Sequence, residues 1–190
     1  MRMQKIEIAY FIYGPDNGAS FFDEAPPELF CERCGVPLPE SSRYWPRRLQ
    51  VKNVYPFSYT SDNRSICTRA FMEMSRQFDP VGAEFKQVSL VPELFWLMPV
   101  RVLELDYKRR ETKFDGWCEK CNRFAEVAGA SPGFSKNSVL EYPGGFYRSD
   151  VAFGSGREQV PAVIVGPQLK EHIEQQKYKA VYFKPVYYER

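Results

Sequence analysis

The sequence has little of what most enzymes and membrane proteins depend on. It contains a single histidine, His172, so a catalytic site built on two histidines is excluded. No run of about 20 uninterrupted apolar residues occurs, and no membrane span is expected. The glycine runs at 143–145 and 154–156 match neither a P-loop nor a dinucleotide-binding fingerprint. We therefore expect a non-enzymatic protein with no catalytic residues.

The chain also lacks a charge excess of either sign. Its 26 basic and 24 acidic residues give a formal net charge of +2, so nucleic-acid binding is not indicated by charge. The opening stretch MRMQKIEIAYFIYG has Glu7 inside its short apolar run, and no small-residue cleavage site follows. It predicts a strand and not a signal peptide, and we expect a cytoplasmic protein with reduced thiols.

The chain does contain two near copies of one short motif. LFCERCGVPLP at 29–39 and GWCEKCNRFAE at 116–126 each place an aromatic residue before C-E-[RK]-C, and 118 − 31 gives an offset of 87. A CxxC turn presents two thiolates at one edge of a loop, and two such turns complete a tetrahedral zinc site with no open position. The predicted ligands of a structural Zn²⁺ are Cys31, Cys34, Cys118 and Cys121.

The residues that follow the two motifs support their equivalence. Gly35 follows the first pair and Asn122 the second, and both residue types tolerate a left-handed backbone. Disulfides, redox thiols and plain buried cysteines are the alternatives. Disulfides fit poorly with a reducing compartment, and a redox CxxC usually opens a helix after a strand. The fifth cysteine, Cys67, is expected to be a buried small side chain, and His172 a partly buried structural residue.

Hydrophobic spacing predicts a mixed fold. Apolar residues alternate in the strand-like stretches 5–14 and 83–91, and 94–107 is expected to form one or two strands interrupted at Pro99. Helices are expected at 66–78 and, with Pro167 in its first turn, within 161–178. The last strand is expected at 179–188, with Pro185 indicating a sheet edge.

A second repeat lies outside the CxxC motifs. Residues 66–88 align without a gap to 164–186, at an offset of 98, with six identities in 23 positions. We therefore expect an α+β fold of antiparallel strands and two main helices. It is a single domain, 1–190, of two pseudo-repeats at about 20–100 and 101–190, joined by the four-cysteine zinc site.

The motif C-E-R-C-G within duplicated halves, and the ending VIVGPQLKEHIEQQKYKAVYFKPV, resemble the double-CXXCG motif family of bacterial immunity proteins. The resemblance covers about Phe30 to Val186 and implies that the four cysteines match the family's metal-ligand positions. It also implies a cytoplasmic protein that binds and neutralises a cognate bacterial toxin. Asn122 departs from the second CXXCG, and no toxin-contacting residue can be inferred.

A nucleic-acid-binding or regulatory adaptor resembling a zinc ribbon is the alternative function. Basic residues cluster at Arg43, Arg47, Arg48 and Lys52 and again in YKRRETK, and Tyr44 and Trp45 lie beside the first cluster. Aromatic residues in stretches expected to be loops are typical of protein interfaces, although about half are expected to fill the core. They are Tyr44, Trp45, Phe146, Tyr147, Tyr187 and Tyr188.

Overall fold

The computed structural model describes residues 4–189, so the first three residues of the opening stretch and Arg190 lie outside it. Within that range the chain forms twelve strands and three α-helices. The helices are α1 (Arg69–Phe78), α2 (Tyr107–Arg110) and α3 (Pro167–Gln175). The strands are β1 (Lys5–Tyr13), β2 (Phe57–Tyr59), β3 (Ser65–Thr68), β4 (Ala83–Leu90), β5 (Glu93–Pro99), β6 (Arg101–Leu103), β7 (Lys113–Cys118), β8 (Arg123–Ala128), β9 (Gly133–Phe134), β10 (Phe146–Ser155), β11 (Val160–Val165) and β12 (Tyr182–Glu189).

The strands form two sheets, so the predicted α+β class is confirmed. The larger sheet has the order β7-β8-β10-β11-β1-β12-β9, with β6 added beside β10. The smaller has the order β2-β3-β5-β4. Most pairs are antiparallel, as expected, but β6 with β10 and β9 with β12 are parallel. The predicted break at Pro99 separates β5 from β6.

The two longer helices begin where their sequences favour it. Pro167 occupies the first turn of α3, as predicted, where its missing N–H costs no hydrogen bond. The prediction that the first helix starts at Ile66 is wrong. Residues 65–68 form β3, which pairs with β2 and β5, and the Thr68 side chain caps α1 by accepting from the Phe71 N–H.

One apolar core joins the two sheets to both long helices. Phe57, Cys67 and Leu97 come from the smaller sheet, while Phe146 and Val165 come from the larger one. The helices contribute side chains that are also almost fully buried: Phe71, Met72 and Met74 from α1, Leu169 and Ile173 from α3. Both sheets and both long helices therefore contribute to this core.

The two long helices occupy matching places in the strand order. The unit β3-α1-β4 has β5 paired between its two strands, and the unit β11-α3-β12 has β1 paired between its two strands. A further antiparallel strand flanks each unit, β2 beside β3 and β10 beside β11. The smaller sheet therefore has the same local arrangement as the segment β10-β11-β1-β12 of the larger one.

Strand register agrees with this correspondence at most of the paired positions. The pairs Ile66–Trp96, Cys67–Phe57 and Lys86–Trp96, for example, have the counterparts Ile164–Phe11, Val165–Phe146 and Lys184–Phe11, at the offset of 98 that aligns the two sequence segments. Beyond the β-bulge in β4 the agreement ends, since Ser89–Leu94 and Leu90–Glu93 have no such counterpart.

The prediction that Pro185 marks a sheet edge is correct only in part. β12 lies between β1 and β9, but β9 is two residues long and pairs only with Val186 and Tyr187. Pro185 therefore lies just outside that short ladder, where its missing N–H leaves no bond unmade. Among residues 4–189, no helix combines the length and apolar character that crossing a membrane requires.

Candidate metal centre

Each CxxC motif lies at the tip of a short antiparallel hairpin. In the first, Phe30 bridges to Pro37 and the Cys31 N–H donates to the Val36 carbonyl at 2.9 Å. In the second, β7 and β8 pair Trp117 with Phe124. Adding 87 to the residue numbers of the Phe30–Pro37 bridge gives the Trp117–Phe124 pair. The strand pairing therefore repeats at the same offset as the CxxC motif.

The turns that end the two motifs share an unusual backbone conformation. Gly35 has φ of 73° and donates its N–H to the Cys31 carbonyl at 2.7 Å. Asn122 has φ of 54° and donates to the Cys118 carbonyl at 2.8 Å. The prediction of a left-handed residue after each CxxC is thus confirmed. Asparagine and glycine are the residues that occupy this conformation most readily, which explains both choices.

The two hairpins bring all four predicted sulfur atoms together. The Sγ atoms of Cys31 and Cys118 are 3.7 Å apart, and those of Cys34 and Cys121 are 3.5 Å apart. All four lie within 4.8 Å of one another, and all are free thiols without a disulfide. A tetrahedron with Zn–S bonds of about 2.3 Å has sulfurs about 3.8 Å apart. The spacing and the donor set therefore fit one metal ion with four thiolates.

The environment of the sulfurs differs between the first and the last cysteine of each motif. Hydrogen bonds from the Cys34 and Arg33 backbone N–H groups lower the pKa of Cys31 to about 6. The backbone N–H groups of Cys121 and Lys120 act in the same way to lower the pKa of Cys118. Burial raises the pKa of Cys34 and, with the neighbouring sulfurs, raises that of Cys121 to about 12. Backbone N–H groups directed at sulfur favour the thiolate, the form that binds metal.

The charged residues inside the two motifs pair reciprocally across the centre. Lys120 forms an ion pair with Glu32, and Arg33 lies 3.9 Å from Glu119. Each motif thus supplies one acid and one base to the other, in the way that residues pair across a twofold axis. This pairing accounts for the shared E-[RK] between the cysteines.

Further contacts fix the second hairpin against the first and against the residue that precedes β11. Arg123 donates to the Pro37 carbonyl, and the Gln159 side chain donates to the Phe124 carbonyl at 2.8 Å. Sequence reasoning did not identify Arg123 or Gln159 as part of this region. The sequence shows only that Arg123 lies two residues after Cys121, and that position alone does not predict a contact with the first hairpin.

Comparison of the chain with protein-family models, with curated proteins and with solved structures found no match. The geometry alone defines the site as a four-thiolate cluster that could hold a metal ion and that is formed by two distant hairpins.

The other cysteine and the histidine lie elsewhere. Cys67 is completely buried in the shared core, as predicted, and burial raises the pKa of its thiol. His172 is half-buried on α3, with its ring 4.2 Å from that of Phe78 and its Nε2 3.3 Å from the Gln176 amide. Both side chains lie outside the four-sulfur cluster and are explained by packing.

The expected surface aromatics are largely not at the surface. Phe146 and Tyr147 begin β10 and are buried, and the ring of Tyr44 packs against those of Phe21 and Phe22. Trp45 is exposed, but Lys86 lies over its ring at 4.8 Å. The prediction that part of this set fills the core is confirmed for Phe146 and Tyr147. These two side chains are buried because β10 pairs with β11. The glycine-rich sequence around them predicts a loop and gives no sign of that pairing.

An aromatic surface that the sequence did not reveal lies on the second hairpin. Trp117 and Phe114 of β7 are 52% and 37% exposed, and both rings contact that of Phe124, with centroids 5.0 and 5.3 Å away. Gly116 between them has φ of 64°, which breaks the alternation of the strand. We call Phe114, Trp117 and Phe124 the hairpin aromatic face.

Proposed function

We propose that this protein is a non-enzymatic immunity protein that binds and neutralises a bacterial toxin, and that a structural zinc ion joins its two halves. The observation that carries the proposal is the four-sulfur cluster formed by two distant CxxC hairpins. It supports a closed metal site with no open coordination position, which is typical of a structural and not a catalytic metal. Zinc is the metal we assign, because four thiolates in a tetrahedron are its usual ligand set.

We further propose that the two halves arose by internal duplication. The matching strand order and register of the two units support this, as do the two CxxC hairpins. In this proposal β1 takes, in the C-terminal half, the place that β5 takes in the N-terminal half. The first strand of the chain thereby completes the last repeat.

The hairpin aromatic face is our candidate for the toxin-contacting surface. Exposed tryptophan and phenylalanine side chains are enriched at protein interfaces and often contribute most of the binding energy. Lys113, Asp115 and Glu126 are exposed on the same two strands, so this hairpin carries both signs of charge. A mixed rim of this kind suits a protein partner better than a polyanion.

The alternative function, a nucleic-acid-binding adaptor, has less support because one aromatic candidate and two basic candidates are engaged, while Arg43, Arg47 and Arg48 are exposed without an ion pair in the described chain. Tyr44 packs within the protein, Arg109 pairs with Glu189, and Arg110 donates to the Ser131 carbonyl at 2.8 Å. Stacking on bases needs free aromatic faces, and phosphate binding needs free cations. A gel shift with nonspecific RNA or DNA at low salt tests this alternative, and we expect no shift.

The toxin proposal is tested by co-expressing the full-length chain with the product of the neighbouring gene. We expect the wild-type chain to restore growth and to copurify with that product, and Trp117→Ala to weaken both. Trp45→Ala is the matched control, since Trp45 is similarly exposed, at 47%, but lies outside the hairpin aromatic face. Failure of the wild-type chain to rescue growth or to copurify would contradict the proposal.

A further inference from the structure

A cleft lies between the two sheets, beside the hairpin that carries the second CxxC motif, and three arginines line it. Arg64 precedes β3, Arg148 lies on β10 and Arg123 on β8. The single acidic residue in its lining is Asp150, so the cleft has an excess of two positive charges (3 − 1). Apolar walls complete it, contributed by Phe22, Trp96, Met98, Pro99, Val160 and Pro161.

Arg64 is the most unusual of the three, because its side chain is buried and forms no ion pair within residues 4–189. The residue is 4% exposed, yet its guanidinium makes one hydrogen bond within the described chain, from Nη1 to the Asp62 carbonyl at 3.0 Å. The ring of Phe22 lies under the guanidinium at 4.6 Å. Burial lowers the pKa of Arg64 to about 10.

The negative charge of the nearby Asp62 raises the pKa of Arg64 and so offsets part of the effect of burial, but the Asp62 carboxylate forms no ion pair with the guanidinium in the described chain. That carboxylate accepts from the backbone N–H groups of Phe21 and Phe22 at 2.9 and 2.8 Å and from the Thr60 hydroxyl at 2.6 Å. Those bonds hold it in the loop before β3. A buried cation without a paired anion costs several kcal/mol, so such groups are normally paired.

The other two arginines also lack carboxylate partners. Arg123 donates to the Pro37 carbonyl and, at 3.5 Å, to the Gln159 side-chain oxygen, both neutral acceptors. The Arg148 side chain makes no hydrogen bond or ion pair within residues 4–189. Its neighbour Asp150 is bonded instead to the Leu105 N–H, at 3.1 Å, and to the Tyr107 hydroxyl. Three arginines therefore line one cleft, and its one acidic lining residue, Asp150, is bonded to other groups.

We propose that the cleft binds a small organic anion, with its carboxylate or phosphate held by Arg64, Arg123 and Arg148 and its apolar body against Trp96 and Met98. Arginine presents a planar set of donors that matches both kinds of oxyanion. Burial of the ligand's apolar part against the walls adds affinity that an inorganic ion lacks. This site is separate from the hairpin aromatic face and goes beyond toxin binding.

Calorimetric titration of the full-length protein with three probes of equal chain length tests the proposal. Octanoate carries a carboxylate, octyl phosphate carries a phosphate, and octanol has the same body without charge. We expect saturable binding of at least one anion at a single site, about tenfold or more tighter than octanol. The tighter anion identifies the ligand class.

Arg148→Gln is the informative variant, because the Arg148 side chain has no partner among the described residues whose loss would disturb the fold. We expect it to weaken anion binding about tenfold with an unchanged melting temperature. Arg47→Gln, an exposed arginine outside the cleft, is the matched control and should bind as wild type does. The proposal is overturned if neither anion binds saturably, if octanol binds equally well, or if Arg148→Gln leaves affinity unchanged.

Discussion

Glu32 and Lys120, 88 positions apart in the sequence, form an ion pair across the two CxxC turns. The relationship is reciprocal, because Arg33 and Glu119 face each other in the opposite sense. A metal ion bound by four thiolates carries excess negative charge, and the two basic residues lie at its periphery. We propose that the pairs orient the two hairpins, while the four sulfurs would bind the metal ion.

Reversing one of these charges should weaken the junction of the two hairpins, and reversing both should restore it. Lys120→Glu places a second acid beside Glu32, so we expect a lower melting temperature at low ionic strength. The double variant Glu32→Lys with Lys120→Glu regains the attraction. The deficit should shrink with added salt, because the pair is at the surface and is screened.

Lys113→Glu is the control for that experiment, since Lys113 is exposed on the same hairpin and has no ion pair within residues 4–189. It should melt as wild type does. If the destabilisation of the double variant equals the sum of the destabilisations of its two single variants, the ion pair has no orienting role.

Removing one sulfur should release the metal. We expect purified protein to contain about one zinc ion per chain by elemental analysis, and Cys118→Ser to lose it, because three thiolates leave the site open. A chelator should lower the melting temperature of the wild-type protein, since metal binding contributes to folding free energy. Cys67→Val is the matched control: it removes a thiol from the core and introduces the residue found at the equivalent Val165. Wild-type protein that is free of metal would contradict this prediction.

The turns after the two CxxC pairs should respond oppositely to substitution. Gly35→Ala should destabilise the protein by about 1–2 kcal/mol, because φ of 73° is unfavourable for a residue with a side chain. Steric crowding is absent there, since the nearest atom to an added Cβ is the Gly156 Cα at 3.8 Å. Asn122→Gly should have little effect or stabilise slightly. Urea unfolding of the two variants measures the difference, and equal effects would contradict a backbone origin.

Local patterns predicted the elements that local interactions determine. The spacing of Phe71 and Met74 and the position of Pro167 indicated both long helices, and the CxxC motifs indicated the four ligands. Asn122 was recognised as a left-handed position because its side chain is one of the few that tolerate it.

Long-range pairing determined what the sequence did not reveal. Residues 65–68 have a helix-compatible pattern, yet they form a strand because β2 and β5 lie on either side of it. Phe146 and Tyr147 follow a glycine pair that indicates a loop, yet pairing with β11 buries them. The insertion of β1 beside β12, across almost the whole chain, leaves no trace in local periodicity.

Equivalent positions on the two long helices should contribute comparably to stability. Phe71 of α1 and Leu169 of α3 are both completely buried in the one shared core. Phe71→Ala should cost about 3–5 kcal/mol and Leu169→Ala about 2–5 kcal/mol in the free energy of unfolding. Val139→Ala, at a position 74% exposed, is the control and should change it by less than about 0.5 kcal/mol. Loss of only one half's structure in either variant, detected by separate unfolding transitions, would contradict a single core.

The buried ion pair after α1 should be the most sensitive polar contact in the protein. Asp79 is 1% exposed, and its Oδ2 accepts from Arg101 Nη1 at 2.5 Å and from the Phe146 N–H at 3.0 Å. It thereby ties the end of one helix to β6 and to the start of β10. Asp79→Asn keeps the shape but leaves Arg101 without its counter-ion, so we expect a loss of about 3–5 kcal/mol.

Glu104→Gln is the matched control for Asp79→Asn. Glu104 pairs with Lys136 at 3.4 Å, but both side chains are exposed, at 59% and 50%. Solvent already screens that pair, so the variant should unfold at nearly the wild-type urea concentration. If the two substitutions had similar effects, burial would not be what makes the Asp79–Arg101 contact important. Stability would then depend on the Asp79 hydrogen bond to the Phe146 N–H, which an asparagine oxygen can still accept.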